Sequence, residues 1–183
     1  MTRISQPASI ADTPEASQPL LEAVVKQLGS APNLFRLIAT SPHALEGYLG
    51  LSGALGKGAL PAATRERIAL AVAEINGCDY CLSAHTYLGR NLARLDDAEI
   101  AANRASASYE PKADAAVRFA ARVAVSRGQV SDAEFAAVRL AGYTDAQIIE
   151  IIQHVALNTW TNLFNNVFQT EIDFPVVTAS KAA

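Results

Sequence analysis

The amino-acid sequence predicts an all-α protein, and three features support that prediction. Half of the 183 residues are hydrophobic but only 7% are aromatic, and such a composition favours packed helices over a sheet. Apolar residues recur at the three- and four-residue spacing of helices, and no series of alternating strands is evident. Three segments also begin with the side-chain pattern of a capping box.

The helical segments are expected to lie between an arm and a tail. A chain of this length forms one domain. We therefore expect a flexible N-terminal arm over residues 1–14, a single domain over 15–175 and a loose tail over 176–183. Gly, Pro and capping residues divide the domain into helices. In chain order, the predicted helices cover residues 14–28, about 34–38, 42–55, 62–75, 78–95, the segment after Asp96, 111–127, the segment after Ser131, and 144–168.

Two of the predicted helices have distinctive faces. The last helix is apolar over much of its circumference, which predicts burial within the fold or against another subunit. The helix that begins near residue 78 carries its candidate reactive residues on its core stripe, so we expect other helices to cover them. The members of that stripe are Cys78, Cys81, Leu82, His85, Leu88 and Leu92.

Composition and charge exclude several classes of function. The formal net charge is −3, and no basic stretch stands out, which argues against nucleic acid and anionic membranes as partners. No apolar run approaches the roughly 20 residues needed to span a bilayer. Because the first residues lack the apolar core of a secretion signal, we expect a cytoplasmic protein. Cysteines in that compartment are typically catalytic or metal-binding.

Both cysteines lie in one motif, Cys78-Asp-Tyr-Cys81, and His85 follows the second cysteine by one helical turn. Asn76-Gly77 is a helix-stop signal, so Cys78 is predicted to open a new helix whose N-terminus stabilises a thiolate. Glu66 lies on the preceding helix, and a fold-back of the two helices would bring its carboxylate near the His85 imidazole. A thiol, a histidine and a carboxylate in contact are the parts of a nucleophile-activation relay.

This pattern, Glu66 followed by Cys78-x-x-Cys81-x-x-x-His85, closely resembles the alkylhydroperoxidase D-like (AhpD-like) branch of the carboxymuconolactone decarboxylase family. The resemblance implies an AhpD-like bundle of about seven to eight helices. It also implies a homo-oligomer, with a trimer or a hexamer expected.

The resemblance extends from about residue 33 to about residue 173. It is strongest over residues 61–85 and in the helix around 158–170. In the best-known member a second histidine lies between the cysteines, whereas here that position is Tyr80.

The same resemblance implies a function for each residue of the motif. The chain would be an antioxidant, thiol-dependent peroxidase acting on organic hydroperoxides. Cys81 would attack the peroxide, and Cys78 would then form a disulfide with it. His85 would act as the base, held and polarised by Glu66. An external dithiol or a small redox protein would reduce the disulfide, and neither a cofactor nor a metal is expected.

The residues alone leave other interpretations open. The two cysteines are also compatible with buried structural thiols, or with a zinc site completed by His85 and Glu66. A non-enzymatic thiol–disulfide module is a second functional class. A decarboxylase of the carboxymuconolactone type is a third, although those relatives lack the cysteine pair. His85 as a core histidine and Glu66 as a surface charge are the simplest alternatives.

Three further residues are candidates whose part in the chemistry the sequence leaves open. Glu74 is close to the cysteines in sequence, but the helical period places it about 80° from Glu66 around the helix. Tyr80 stands between the cysteines. His154 lies on a polar stripe of the last helix, where it is predicted either to make a helix contact or to line the pocket. The other members of that stripe are Asn158, Thr161, Asn165 and Gln169.

Overall fold

The computed structural model describes residues 2–180. All regular secondary structure within them is helical, as predicted. Met1 of the predicted arm and residues 181–183 of the predicted tail lie outside that range. Within the described residues, two short 3-10 helices, Ile10–Asp12 and Glu15–Ser17, precede nine α-helices. The α-helices are α1 (Gln18–Leu28), α2 (Asn33–Ile38), α3 (Pro42–Gly56), α4 (Ala62–Ile75), α5 (Asp79–Asn91), α6 (Asp97–Arg104), α7 (Pro111–Ser126), α8 (Asp132–Leu140) and α9 (Asp145–Phe168).

Helix α4 is the central element, because α5, α6, α7 and α9 all pack against it. Residues 68–73 of α4 are buried without interruption, so nearly the whole circumference of this segment is covered. Three of those six residues are alanine, which allows neighbouring helices to approach closely. A helix buried on every side divides the interior into two parts.

One part, which we call the aliphatic core, lies among α4, α7, α8 and the first half of α9. Its buried members are Leu60, Ile68, Val72, Ala116, Phe119, Ala120, Val123, Val138, Tyr143, Ile148, Ile151 and Val155. The other part, the thiol-side core, is built from the first helices together with α4, α5 and α6. Its buried members are Leu21, Leu34, Ile38, Ala39, Leu45, Leu70, Ala73, Cys78, Tyr80, Cys81, Leu82, Leu95 and Ile100.

The junction between α4 and α5 follows the prediction, but the end of α5 does not. Gly77 has a positive φ of 60°, which glycine adopts without strain, and Cys78 is the N-cap of α5. Leu92 was predicted on the core stripe but is 71% exposed. Helix α5 ends at Asn91, and the turn that follows buries Leu95 in place of Leu92.

Two of the three predicted capping boxes are present, at Ser131 and Thr144. At α6 the prediction of a full box is wrong. Asp96 accepts the Glu99 N–H at 2.8 Å, but the Glu99 side chain turns inward and binds Arg67 at 2.6 Å and Asn103 at 2.9 Å. Burial opposes ionisation of Glu99, yet these and other hydrogen bonds lower its pKa to about 2. Glu99 therefore fixes α6 to α4 as a buried carboxylate.

After α9 the chain runs back across α5 and α4 without regular secondary structure. The Tyr80 hydroxyl donates to the Asp173 carboxylate at 2.9 Å, and the Val177 N–H donates to the Ser83 hydroxyl at 2.9 Å. The Ser180 N–H donates to the Glu74 carboxylate at 2.6 Å. The looseness of the tail and the flexibility of the arm stay predictions.

None of the helices within residues 2–180 has the length and apolar character required to cross a membrane.

Candidate active site

The two cysteines lie where α4 ends and α5 begins. Both are free thiols, and both are buried, with 0% of Cys78 and 3% of Cys81 exposed. The Cys78 sulfur caps α5 by accepting the backbone N–H of Cys81 at 3.2 Å. Other helices therefore cover the pair, as the core stripe of α5 predicted.

Glu66 and His85 meet across the α4–α5 contact, although they are nineteen residues apart. The Nδ1 atom of His85 lies 2.8 Å from the Oε2 atom of Glu66, and each side chain is 22% exposed. With Nδ1 donating to the carboxylate, Nε2 is the ring nitrogen left to exchange a proton. Burial lowers the pKa of His85, but the charge and hydrogen bond of Glu66 and the charge of Cys81 raise it above its ordinary value.

The two thiols have opposite tendencies to ionise. Burial raises the pKa of Cys81, but donation from the Cys78 thiol and the charge of His85 lower it, and amides of Asn165 and Asn162 lower it further, to about 7. The pKa of Cys78 is raised, because its thiol donates to Cys81, because it is buried and because a thiolate lies beside it. Cys81 is therefore the sulfur that this environment ionises first.

The carboxamides near Cys81 come from α9, far away in sequence. The Nδ2 atom of Asn165 donates to the Cys81 sulfur at 3.3 Å. Asn165 belongs to the polar stripe that the sequence identified, but Asn162 was missed. Its spacing of four residues from Asn158 places it on the same face of α9, and that spacing was the available signal.

An aromatic group from α2, α3 and α9 borders the site. The Tyr48 ring stacks on Trp160 with centroids 5.5 Å apart, and Phe35 meets Tyr48 edge-on at 5.6 Å. Burial, followed by the nearby charge of Cys81, raises the pKa of Tyr48 to about 12, so the hydroxyl stays protonated at neutral pH. Sequence reasoning missed Tyr48 because nothing in α3 links it to the cysteine motif.

His154 lies on the buried face of α9, and its Nε2 atom has no hydrogen-bond partner among residues 2–180. Burial, followed by the charge of Arg65, lowers its pKa to about 4. The imidazole is therefore neutral at pH 7.

Glu74 and Tyr80 are engaged away from the thiols. Glu74 pairs with Arg104 at 2.6 Å and accepts the N–H of Ser180 in the chain segment after α9. The Tyr80 hydroxyl accepts the N–H of Leu34 at 3.1 Å and donates to Asp173. Both side chains therefore join the C-terminal segment to the helices.

Between residues 2 and 180, no group of three or more His, Cys, Asp and Glu side chains is arranged to hold a metal ion. The arrangement that is present couples a thiol of lowered pKa with a histidine bound to a carboxylate. Such a set of groups can generate a thiolate and move a proton, which are the two requirements of thiol-based nucleophilic chemistry.

The model of the carboxymuconolactone decarboxylase family matches residues 42–122. That range runs from the start of α3 into α7, and it contains Glu66, both cysteines and His85. No curated protein sequence matches the chain.

Solved structures match nearly the whole chain. The alkylhydroperoxidase AhpD core of a peroxidase-related protein from Ralstonia eutropha JMP134 is 27% identical, with a TM-score of 0.83 over 94% of this chain and 92% of that one. A peroxidase-related protein from Silicibacter sp. TM1040 is 25% identical, with a TM-score of 0.79 over 93% and 94%. The debrominase Bmp8, in complex with 2,3,4-tribromopyrrole, has the same fold at 20% identity, with a TM-score of 0.77 over 94% of each chain.

Proposed function

We propose that the chain is a thiol-dependent peroxidase of the alkylhydroperoxidase D-like branch of the carboxymuconolactone decarboxylase family, an assignment supported by the family match over residues 42–122 and by the two peroxidase-related structures. Its substrates are organic hydroperoxides, and its reactive groups are Cys81, Cys78, His85 and Glu66. The observation that carries the proposal is the 2.8 Å contact between Glu66 and His85 beside a Cys81 thiol of lowered pKa.

In the first step the Cys81 thiolate attacks the outer oxygen of the hydroperoxide. A sulfur–oxygen bond forms as the O–O bond breaks, so sulfur is oxidised to a sulfenic acid and the peroxide is reduced to an alkoxide. The alkoxide takes a proton and leaves as an alcohol. His85, which takes the proton of the Cys81 thiol as the base, supplies this proton, because Glu66 stabilises its charged form.

In the second step Cys78 attacks the sulfenic sulfur of Cys81. Water leaves and an intrachain disulfide forms. A raised pKa suits Cys78 to this part, because its thiol stays protonated while Cys81 reacts with peroxide. An external dithiol or a small redox protein then reduces the disulfide by exchange and restores both thiols.

The surroundings of the thiols favour apolar hydroperoxides over hydrogen peroxide. Phe35, Tyr48 and Trp160 form a continuous set of aromatic contacts beside the site, and Phe164 extends it with a centroid 5.6 Å from that of Trp160. Aromatic surfaces bind alkyl and aryl groups by burial of apolar area. The proposed substrate therefore carries an apolar group next to its O–O bond.

The experiment that tests this function is the consumption of cumene hydroperoxide in the presence of a dithiol. Multiple turnovers are expected from the wild-type protein and none from Cys81→Ser. Cys78→Ser should consume one equivalent and stop, with a sulfenic acid on Cys81 that dimedone traps. Stoichiometric oxidation to the disulfide without turnover would instead identify a redox module and would contradict the proposal. A sulfenic acid trapped on Cys78 would reverse the two roles.

We further propose that the enzyme is a homo-oligomer that assembles through one face of α9. Large apolar side chains are exposed along that face at helical spacing: Ile149, Ile152, Trp160, Leu163 and Val167. A contiguous apolar stripe of this kind is typical of interaction surfaces. Light scattering should give the mass of a trimer or a hexamer, and Leu163→Glu should reduce it to that of a monomer. A monomeric wild-type protein would contradict this assembly.

A further inference from the structure

Two carboxamide side chains are buried in successive turns of α9, and one of them contacts Cys81. Asn162 is 0% and Asn165 is 3% exposed, so both are fully inside the protein. The Nδ2 atom of Asn165 lies 3.3 Å from the Cys81 sulfur and donates to it. One buried carboxamide beside a thiol needs no special explanation. Two buried carboxamides in successive turns of one helix do need one.

The hydrogen bonds of Asn162 fix the orientation of its side chain. Its Oδ1 atom accepts the Nδ2–H of Asn76 at 2.9 Å. Asn76 is the C-cap residue of α4 and precedes the Gly77-Cys78 turn, so this bond ties α9 to the chain just ahead of the cysteine motif. With its oxygen occupied, Asn162 has only its Nδ2 donor free to act.

The remaining polar atoms of the two side chains lack partners within residues 2–180. These atoms are the Nδ2 of Asn162 and the Oδ1 of Asn165. A buried polar atom without a partner destabilises the fold, and leucine, whose side chain has the same number of heavy atoms and the same branch at Cγ as asparagine, would avoid that cost. The two asparagines are therefore poorly explained by packing alone.

The helix N-terminus does not explain why Cys81 would be the more reactive thiol. Cys78 is nearer to the start of α5, and it is the N-cap residue itself. The positive end of the helix dipole therefore favours ionisation of Cys78 at least as strongly. The amide donation from α9, in contrast, reaches the Cys81 sulfur at 3.3 Å.

We propose that the Asn165 side chain is an amide donor that holds Cys81 as a thiolate and selects it, over Cys78, as the attacking sulfur. Amide N–H groups stabilise the charged form of sulfur because hydrogen bonds to an ion are stronger than those to a neutral thiol. The inference rests on the proposed function only for the identity of the nucleophile. Its test uses no peroxide, so the two can fail separately.

The test is the pH dependence of alkylation by iodoacetamide, measured for each cysteine by peptide mass spectrometry. In Asn165→Leu, the midpoint for Cys81 should move upward, toward the ordinary thiol value of about 8.5. Labelling of Cys81 at pH 6 should fall about three- to tenfold, while labelling above pH 9 should rise, since thiolates of higher pKa are more nucleophilic.

Asn158→Leu is the matched control. Asn158 lies on the same face of α9 and is buried to a similar degree, but its amide donates to the backbone oxygen of His154 in its own helix at 2.8 Å. The control should leave the Cys81 midpoint unchanged.

Asn165→Leu should also keep or raise the melting temperature, because it removes an unpartnered oxygen. If the role of Asn165 were purely structural, the substitution would lower the melting temperature.

An unchanged Cys81 midpoint in Asn165→Leu would overturn the inference. An equal shift in Asn158→Leu would overturn it as well, since the effect would then come from α9 packing in general.

Discussion

Helix α4 separates two interiors that differ in chemical character. The aliphatic core on one side is filled by branched and aromatic side chains such as Ile148 and Phe119. On the other side, two thiols lie against carboxamides, and polar atoms of Asn162 and Asn165 lack partners among the described residues. The aliphatic core has the apolar composition of a stable protein core. The thiol-side interior differs because it contains buried polar groups.

The difference shows how a small helical protein accommodates a reactive site. A buried polar atom without a partner costs about 1–3 kcal/mol of folding free energy, and a native domain has only about 5–15 kcal/mol in total. The aliphatic core must supply that stability through burial of apolar area. Substitutions on the thiol side of α4 should therefore change the reactivity of the thiols. Substitutions in the aliphatic core should instead change the free energy of unfolding.

The largest effect is expected on the reactive side. Glu66→Gln keeps the shape of the side chain but removes the charge that stabilises protonated His85. Hydroperoxide reduction should slow by about 10²–10⁴-fold, the range for lost acid–base assistance, and the apparent pKa of Cys81 should rise. Stopped-flow measurement of peroxide consumption from pH 5 to 9 checks this.

Glu74→Gln is the control for that prediction. Glu74 is bound to Arg104 and to the segment after α9 rather than to the relay, so the rate should stay near that of the wild type. A wild-type rate in Glu66→Gln across the whole pH range would show that Glu66 takes no part in the relay.

The next effect belongs to the aliphatic core. Ile148→Ala removes a side chain that is almost completely buried, and such truncations cost about 2–5 kcal/mol because they leave a cavity. Urea unfolding should report that loss in the free energy of unfolding, while the Cys81 alkylation midpoint stays in place. If Ile148→Ala moved the Cys81 midpoint as far as Asn165→Leu is expected to, the two interiors would be coupled through α4.

A smaller effect is expected where α9 begins. The Thr144 hydroxyl accepts the N–H of Gln147 and caps this helix, so Thr144→Ala should cost about 0.5–2 kcal/mol. Ser131→Ala removes the equivalent cap of α8 and is the natural comparison. Thermal unfolding of both variants checks the prediction, and peroxide turnover at temperatures well below unfolding should be unaffected. No change in stability for Thr144→Ala would contradict the assigned cap.

The parts of this architecture that depend on local sequence were predictable. Pro61 and Asn76-Gly77 enclose α4, and its observed bounds are those the sequence indicated. The end of α5 was misjudged because the burial of Leu95 in place of Leu92 depends on a turn that no local signal announces.

The site was predictable only where a motif marks it. The motif gave Cys78, Cys81 and His85, but the 2.8 Å contact of Glu66 depends on how α4 and α5 cross. Asn162 and Tyr48 reach the site from helices with no motif of their own. Only tertiary packing brings them there, so the sequence alone could not distinguish them from other polar and aromatic residues.

Both proposals depend on one assignment, in which Cys81 is the ionised sulfur and Cys78 its protonated partner. Alkylation of each cysteine in the wild-type protein, followed by peptide mass spectrometry from pH 5 to 10, tests it most directly. Limited access slows labelling equally at every pH while the fold is intact, so the midpoint still reports ionisation.

We expect a Cys81 midpoint near pH 7, with labelling lost as the pH falls through that value, and a Cys78 that labels only at much higher pH. Earlier labelling of Cys78, or a Cys81 midpoint at or above the ordinary thiol value of about 8.5, would contradict it.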